Sequence, residues 1–378
     1  MNEYDPGAAR RSGPPADPST GIVPSGQPLV GPAAGREADV ARGSAGERVR
    51  DRTSGRPLSH DDYRAAVRSR MADLDRLSPL PAGAGRPVSV ASGSDGAPDP
   101  AAELVPDERL IVALDVDGTI LDVNGRVSER MMAALTRMRA YGARIVISTG
   151  RGIEAALPVA RHVGLTDGWM ICANGAITLR MDPAAPRGYE VADSVTFDPS
   201  DVIAALSSAV PDGIIAVEAL DGGFRVSRSF PDGELIEDQR VVPPQEMGSE
   251  PVTRVVLRAP GMAVEEFSAL VAGCGLYSVE YAIGWTAWLD VAPEGVTKAS
   301  ALRALAARLG TGAERVVAVG DGANDIEMIR WAGVGAVMGS APRAVRDCGD
   351  LVTGPVWHDG CAALLDAVVE RTRRRSQS

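Results

Sequence analysis

Short runs of apolar residues, each followed by polar residues and then by an amphipathic stretch, recur along the chain from Arg109 onward. The runs do not alternate apolar with polar positions, which is typical of strands buried on both faces of a parallel sheet. They are RLIVALD, ARIVIST, WMICANG, RVVAVGD, GVGAVMG and DLVTG. The amphipathic stretches between them predict crossover helices. The pattern therefore predicts an α/β fold whose core is a doubly wound, Rossmann-like parallel sheet over residues 109–180 and 292–372.

The pattern changes between residues 181 and 291. There a helical segment, DPSDVIAALSSAV, precedes two strand-like runs that flank an Asp221-Gly222-Gly223 turn. A second helical segment, MAVEEFSALVAGCG, precedes the strand-like runs YSVEYAI and WTAWLDVAP. Two similar helix-strand-strand units inserted between elements of the core predict a smaller α/β cap domain over residues 181–291.

The N-terminal part of the chain is rich in Gly, Pro, Ala, Ser, Arg and Asp and poor in large apolar residues. Such a segment cannot bury enough surface to offset the entropy of ordering, so we predict that residues 1–105 are a mostly disordered, dispensable extension. Over residues 60–77, however, apolar side chains recur at helical spacing behind Ser59, which suits an N-cap. Two hypotheses stay open for this predicted helix, namely a transient or locally docked helix and a helix that binds a protein partner.

The bulk composition narrows the class of protein. The chain has 378 residues, 45% of them hydrophobic, which is enough for two folded domains with a sizeable core. Its formal net charge of -11 argues against a nucleic-acid or anionic-membrane binder, since both partners attract a basic surface. No apolar stretch has the length of a membrane span or of a signal-peptide core, and the four cysteines lack metal-ligand spacing. We therefore expect a cytoplasmic protein with free thiols and no structural zinc.

Residue types that carry chemistry follow three of the predicted strands. Asp115 and Asp117 follow the first strand, Thr149 the second, and Asp321 and Asp325 a later one. Any one of these aspartates could be a turn or cap residue. Because ligands of open α/β sheets bind beyond the carboxyl ends of the strands, however, we expect the whole set to converge on one crevice. Carboxylates gathered there repel one another unless a cation lies between them, and a cluster of oxygen ligands is typical of Mg²⁺.

Lys298 is the only lysine in the chain, although Lys and Arg together number 39. It falls in the first turn of a predicted helix, where the macrodipole disfavours a cation. A nearby anion would reverse that effect, because the free N–H groups of a helix N-terminus and an ammonium can bind phosphate together. We therefore predict that Lys298 binds a phosphoryl group and holds a carboxylate nucleophile in place, with chance occurrence as the alternative.

Five motifs occur in a fixed order: DVDGTIL, STGR, NGA, GVTKASAL and GDGANDIEMI. In sequence and order they resemble the haloacid dehalogenase (HAD) superfamily, specifically its Cof-type phosphatases with a large α/β cap. The resemblance covers residues 109 to about 370 and leaves the N-terminal extension outside. It implies a HAD-type catalytic core, an inserted cap and the activity of a phosphoric monoester hydrolase.

The resemblance also implies roles for single residues. Asp115 would be the nucleophile that forms an aspartyl-phosphate. Asp117, kept partly protonated by its surroundings, would protonate the leaving alcohol and then deprotonate water. Magnesium would be held by Asp115, by the backbone carbonyl of Asp117 and by Asp321, with Asp325 acting directly or through water.

Further residues would bind the substrate. By the resemblance, the phosphate group would be bound by Thr149, Gly150, Lys298, Asn324 and Gly118. Arg151 and Asn174 resemble family positions that line the substrate site. Trp285 and Trp288, on a predicted cap strand, are expected to pack in the core, with stacking on a substrate ring as the alternative.

The leading functional hypothesis is a magnesium-dependent phosphatase that hydrolyses a small phosphorylated metabolite, a sugar phosphate or phosphorylated cofactor, through an aspartyl-phosphate. Its expected partner is a small-molecule phosphate ester, with no nucleic acid and no membrane. Two alternatives stay open. One is a phosphomutase or phosphotransferase of the same superfamily, and the other is a catalytically retired binding or regulatory module.

Overall fold

The computed structural model describes residues 57–77, 106–218, 223–235, 237–276, 279–283 and 287–377. The predicted disorder of residues 1–105 therefore lies outside the described residues except at 57–77, and so do Trp285 and most of the predicted turn at residues 221–223. The helices are α1 (His60–Leu77), α2 (Glu129–Ala140), α3 (Ile153–His162), α4 (Ser200–Ala209), α5 (Pro244–Met247), α6 (Val264–Gly273), α7 (Lys298–Arg308), α8 (Ile326–Trp331), α9 (Arg343–Arg346) and α10 (Gly360–Gln377).

The strands alternate with these helices through most of the chain. They are β1 (Ile111–Leu114), β2 (Arg144–Ser148), β3 (Gly168–Cys172), β4 (Ile177–Met181), β5 (Tyr189–Ser194), β6 (Ile214–Glu218), β7 (Phe224–Val226), β8 (Gln239–Val241), β9 (Val255–Arg258), β10 (Val279–Ile283), β11 (Trp288–Pro293), β12 (Val316–Gly320), β13 (Val334–Val337) and β14 (Leu351–Val352). Short 3₁₀ helices cover Ala173–Gly175, Ala313–Arg315, Ala323–Asp325 and Val356–His358.

One sheet has eight strands in the order β14-β13-β12-β1-β2-β3-β4-β5. From β14 to β3 all neighbours are parallel, and β1 lies between β12 and β2 with Ile111 opposite Val316 and Arg144. The strands β1 and β12 are buried along their whole length, because helices cover both faces of the sheet. The predicted α/β doubly wound core is thereby confirmed.

Two strands depart from the all-parallel pattern. Strands β4 and β5 pair antiparallel at the edge next to β3. Of these, β5 lies beyond residue 180, where we predicted the first segment of the core to end. Its residues are exposed or half-buried and do not form a continuous apolar run, and this explains why the pattern did not indicate a strand of the core.

The second sheet has six strands in the order β10-β11-β9-β6-β7-β8, antiparallel except for the parallel pair β7 and β8. Helices α4 and α6 share a hydrophobic core with this sheet, so the inserted α/β cap is also confirmed. The sequence pattern did not predict β8, α5 or β9. Strand β9 is central to the cap sheet, yet it is only four residues long and is soon followed by Pro260 and Gly261. The local sequence pattern therefore indicates a turn rather than a strand.

Helix α1 packs on α10, which in turn packs on α2. Four of the five apolar positions of its predicted stripe are buried in the main core, and only Leu77 is exposed: the buried ones are Tyr63, Val67, Met71 and Leu74. Polar contacts add to this interface, since the Tyr63 hydroxyl donates to Asp366 at 2.8 Å and Arg371 donates to Asp75 at 2.8 Å. Of the two hypotheses for this segment, the structure agrees with the first, because the helix docks on its own chain. Residues 60–77 are therefore part of the fold.

All four cysteines are free thiols, as expected. Burial raises the pKa of Cys172 and raises that of Cys361 to about 12, so these two are packed rather than reactive groups. Across the part of the chain that the structure describes, none of the helices has both the length and the apolar composition needed to cross a membrane.

Candidate active site

The loops after β1, β2, β3 and β12 meet the first turn of α7 at the carboxyl edge of the eight-stranded sheet. Every site residue that the sequence predicted lies on one of these segments, and hydrogen bonds link the segments to one another. The set comprises Asp115, Asp117, Gly118, Thr149, Gly150, Arg151, Asn174, Lys298, Asp321, Asn324 and Asp325. The structure therefore has the single crevice that the strand-end rule predicted.

Lys298 lies at the centre of this crevice. Its side chain is fully buried, and Nζ donates to Asp115 Oδ1 and to Asp325 Oδ1, each at 2.7 Å. A capping box between Thr297 and Ser300 fixes the start of the helix that carries it. Burial alone would lower the pKa of Lys298, yet the charges of the two aspartates raise it above its ordinary value, so the side chain is an ammonium. The lysine thus holds Asp115, the residue that the sequence predicts to be the nucleophile.

The crevice carries an excess of negative charge. Carboxylate atoms of Asp115, Asp321 and Asp325 all lie within 4.8 Å of one another. Burial raises the pKa of Asp115 well above its usual range, and the charges of Asp325, Asp321 and Asp117 add to the effect while Lys298 opposes it. Four carboxylates here face only two cations, the second being Arg151. A divalent cation bound by oxygen ligands would balance this difference, so the residues present fit Mg²⁺.

Asp325 also holds the backbone of its own loop. Its Oδ2 accepts hydrogen bonds from the backbone N–H groups of Asp321 and Gly322, both at 2.9 Å, and its Oδ1 accepts from Lys298. Three hydrogen bonds already occupy most of the acceptor capacity of this carboxylate. Of the two modes of metal binding considered for Asp325, this arrangement favours the one through water.

Gly118 lets two loops approach closely. Its φ of +81° lies in the left-handed region, and a Cβ built on it would be 2.2 Å from Asp321 Oδ2. A side chain at this position would therefore be strained and would also displace a carboxylate of the acidic cluster. The absence of a side chain at Gly118 therefore lets Asp321 lie against the backbone of the loop after β1.

Asp117 is held by Arg151. The guanidinium donates from Nη2 to Oδ1 at 2.6 Å and from Nε to Oδ2 at 2.8 Å, while the Asp117 side chain keeps 62% of its surface exposed. Both carboxylate oxygens of Asp117 thus accept from one guanidinium, which fixes the orientation of the side chain.

The remaining predicted residues line the loops after β2 and β3. Thr149 is buried, and its Oγ1 accepts from the backbone N–H of Arg151 at 3.1 Å, which leaves its own O–H proton for a ligand. Asn324 donates from Nδ2 to Asn174 Oδ1 at 2.9 Å and so joins two loops. A Cβ on Gly150 would lie 3.0 Å from the same oxygen of Asn174. These contacts place small and polar groups around the space above Asp115.

The cap contributes charges that the sequence analysis missed. Arg254 is buried and donates to Gly150 O at 2.8 Å, to Glu218 Oε2 at 3.1 Å and to Asp290 Oδ1 at 3.2 Å. We call Glu218, Arg254 and Asp290 the cap charge cluster. Burial raises the pKa of Glu218 and of Asp290, with Arg254 opposing the shift in both. These residues are spread through the cap sequence without a motif; a charged residue ending a buried apolar run, as in IIAVE, was the available signal.

Trp288 supports this cluster. Its Nε1 donates to Asp290 Oδ2 at 2.9 Å, and its ring packs edge-on against Phe230 with centroids 5.6 Å apart. The expectation of a packing role is therefore confirmed for Trp288.

Comparison with known proteins agrees with this geometry. The family model described as haloacid dehalogenase-like hydrolase matches residues 112–209 and 262–365, which together make up more than half of the chain. The matched segments contain the loop after β1, Lys298 and the acidic loop after β12, whereas residues 210–261 of the cap stay unmatched.

Several curated relatives are similar over about two thirds of this chain. The 5-amino-6-(5-phospho-D-ribitylamino)uracil phosphatase YitU of Bacillus subtilis is 25% identical, with 68% of this chain and 96% of the relative covered. A phosphoglycolate phosphatase of Halobacterium salinarum is 27% identical, with 68% and 96% covered. The pyridoxal phosphate phosphatase YbhA of Escherichia coli is 29% identical, with 68% and 97% covered.

Solved structures show the same fold. A haloacid dehalogenase-like hydrolase from Bacteroides thetaiotaomicron superposes with a TM-score of 0.58 at 21% identity, covering 68% of this chain and 99% of that one. A sugar phosphatase of HAD subclass IIB superposes with a TM-score of 0.57 at 23% identity, covering 68% and 98%.

Proposed function

The chain belongs to the haloacid dehalogenase-like hydrolase family and is a phosphoric monoester hydrolase, and on this premise we propose that it hydrolyses a small phosphorylated metabolite through an aspartyl-phosphate with Mg²⁺ as cofactor. The observation that carries the proposal is the buried ammonium of Lys298, held at 2.7 Å from both Asp115 and Asp325. A charged lysine in this position leaves Asp115 as a fixed, oriented carboxylate beside a phosphate-binding helix N-terminus.

Asp115 is the proposed nucleophile. Lys298 holds its Oδ1, whereas Oδ2 makes no hydrogen bond within the described residues, so we assign the attack on phosphorus to Oδ2. The bond from phosphorus to the leaving oxygen breaks as the bond to Oδ2 forms, and Asp117 supplies a proton to that oxygen. Asp117 then takes a proton from water, which attacks phosphorus and releases phosphate with Asp115 restored.

Other residues bind and orient the phosphoryl group. Thr149 would donate its free hydroxyl proton, Asn324 and the backbone around Gly118 and Gly150 would surround the phosphoryl oxygens, and Lys298 would add positive charge. Asp115, Asp321 and the Asp117 carbonyl would hold Mg²⁺ with Asp325 behind them, and the ion would neutralise charge on the transferring group. Four free thiols fit a reducing compartment, and we place the reaction in the cytoplasm.

The test is phosphate release from a broad panel of phosphorylated metabolites, with and without Mg²⁺, by wild type and by Asp115→Asn. We expect release that depends on the metal and is lost in the variant, because an amide cannot form the acyl phosphate. A variant that keeps its turnover would refute Asp115 as the nucleophile. Transfer of the phosphoryl group to a second sugar rather than to water would support the mutase instead.

A further inference from the structure

Glu237 of the cap is a mostly buried glutamate. It is 8% exposed and, among the residues that the structure describes, it makes no hydrogen bond and no ion pair. Its carboxylate oxygens are not among the fully buried polar atoms that lack a partner, so they keep contact with solvent. A carboxylate that is mostly buried yet open on one side can accept hydrogen bonds from a bound ligand.

The side chain points at the catalytic crevice. Its Oε1 lies 2.9 Å, and Glu218 Oε1 lies 2.5 Å, from the place where a Cβ of Gly152 would be. Gly152 directly follows Arg151, which holds Asp117, and the charge of Glu237 acts on Arg151 and on Arg254. The carboxylate thus lies next to the segment that carries Arg151, and Arg151 holds Asp117, the proposed acid and base of the reaction.

Neither arginine satisfies this carboxylate directly, because no ion pair within 4.0 Å joins Glu237 to Arg151 or Arg254. Arg151 donates to both oxygens of Asp117, and Arg254 is shared between Glu218, Asp290 and the backbone of Gly150. The space over Gly152 is therefore bordered by one carboxylate oxygen each of Glu237 and Glu218 and by one guanidinium nitrogen of Arg254.

Glu237, Glu218 and Arg254 all lie in residues 210–261, the part of the cap that the family model does not match. The residues that match the family hold the nucleophile and the acidic cluster, which act on the phosphate group common to all substrates. A subsite in the unmatched part suits the other end of the substrate, which differs from one phosphatase to the next.

Resting on the proposed phosphatase function, we propose that Glu237 and the free Oε1 of Glu218 form a cap subsite that binds hydrogen-bond donors on the leaving group of the substrate. The substrate class is a phosphate ester of a polyhydroxy or amino compound, and an ester whose leaving group bears a carboxylate is rejected. Two neighbouring hydroxyl groups, or one ammonium, match the lone pairs of a single carboxylate. A second anion would face an unpaired carboxylate and would be repelled.

The test uses three esters that differ only in the group farthest from phosphate: ribitol 5-phosphate, its 1-amino-1-deoxy analogue and 5-phosphoribonate. The corresponding four-carbon phosphate esters, with an alcohol or a carboxylate at the far end, are added to vary the distance between the phosphate and that group. Each kcat/KM is divided by that for p-nitrophenyl phosphate, whose leaving group has no donor, so that general damage to a variant cancels. The variants are Glu237→Gln, Glu237→Asp as a second, shorter carboxylate, and Glu250→Gln as a matched control on an exposed cap glutamate.

We expect wild type to prefer the alcohol or the amine over the acid by at least about 100-fold. Glu237→Gln should lower the normalised kcat/KM of the preferred donor ester by about 10- to 100-fold and reduce the discrimination against the acid. Whichever of the alcohol and amine esters has the higher normalised kcat/KM shows whether hydroxyl groups or an ammonium supply the hydrogen-bond donors. Glu250→Gln should leave all ratios at the wild-type values.

Two results would overturn the subsite. One is equal or better turnover of the acid by wild type, and the other is an unchanged alcohol-to-acid ratio in both Glu237 variants. If no ester, including p-nitrophenyl phosphate, releases phosphate, the proposed function itself fails. Dissociation constants of the alcohol and acid esters, measured by calorimetry on Asp115→Asn with and without Glu237→Gln, then decide the subsite independently of turnover.

Discussion

Helix α1 offers a strict test of the structure, because two leucines of the same helix have opposite surroundings. Leu74 is 0% exposed in the core shared with α10, whereas Leu77, three residues later, is 40% exposed. Replacing Leu74 with Ala removes buried methyl and methylene groups and leaves a cavity, which costs about 2–5 kcal/mol. The same replacement at Leu77 removes exposed atoms in a helix that tolerates Ala well, so we expect a change within about 0.5 kcal/mol.

The assay is urea denaturation followed by far-ultraviolet circular dichroism. With a slope of about 3 kcal/mol/M, Leu74→Ala should lower the urea midpoint by about 0.7–1.7 M and Leu77→Ala should hardly move it. Phosphatase activity below the transition should be the same in both variants, since neither residue lies near the crevice loops. Equal midpoints for the two variants would refute the docking of α1 on the core.

Truncation tests the same interface on a larger scale. A chain that starts at residue 57 keeps α1 and should stay soluble and active. A chain that starts at Asp107 lacks α1 and exposes the apolar surface of α10 and α2 that the helix covers, so we expect it to aggregate. Full activity of the shorter chain would restore the view that the whole extension is dispensable.

Three further substitutions test the crevice, each measured by steady-state phosphate release with circular dichroism as a check on folding. Lys298→Arg should lower kcat by at least about 100-fold although charge is kept, because a guanidinium cannot take the place of a buried ammonium between two carboxylates. Gly118→Ala should raise the Mg²⁺ concentration needed for half-maximal rate by at least about 10-fold, since a Cβ there meets Asp321. Arg151→Ala should slow hydrolysis of alkyl phosphates by about 10-fold but p-nitrophenyl phosphate less, because Asp117 loses its position and p-nitrophenolate leaves without a proton.

The sequence predicted the core of this protein well because its strands are buried on both faces. A continuous apolar run such as IVAL in β1 indicates by itself that the strand is buried on both faces. Polar residues directly after such a strand fall at the edge of the sheet where ligands bind. The same rule predicts from sequence alone that Asp115, Thr149 and Asp325 lie together. Lys298 was found by another route, since one lysine among so many arginines indicates a demand that guanidinium does not meet.

The cap was harder to predict because its strands are short and its charged residues are buried only through partners in other segments. Strand β9 is four residues long, and Arg254 just before it is a charged residue whose burial depends on partners from three different segments. Neither Glu218 nor Glu237 lies in a motif, and their approach to Gly152 arises only when the cap sits over the core. The clamp of Arg151 on Asp117 was likewise outside the reach of sequence reasoning, since side-chain pairing depends on how neighbouring loops are oriented.

The crevice and the cap are both acidic, but the fold balances them differently. At the core end, Lys298, a helix N-terminus and a site suited to Mg²⁺ can all face a phosphate dianion, so positive charge collects where the phosphoryl group must lie. At the cap end, Glu237 and one oxygen of Glu218 accept no hydrogen bond from the residues that the structure describes. A substrate with an anion at one end and hydrogen-bond donors at the other is complementary to both, and in the reverse orientation it would meet repulsion twice. Under the two proposals, the two ends of the site would orient the ester as well as select it, with the scissile bond beside Asp115 before chemistry begins.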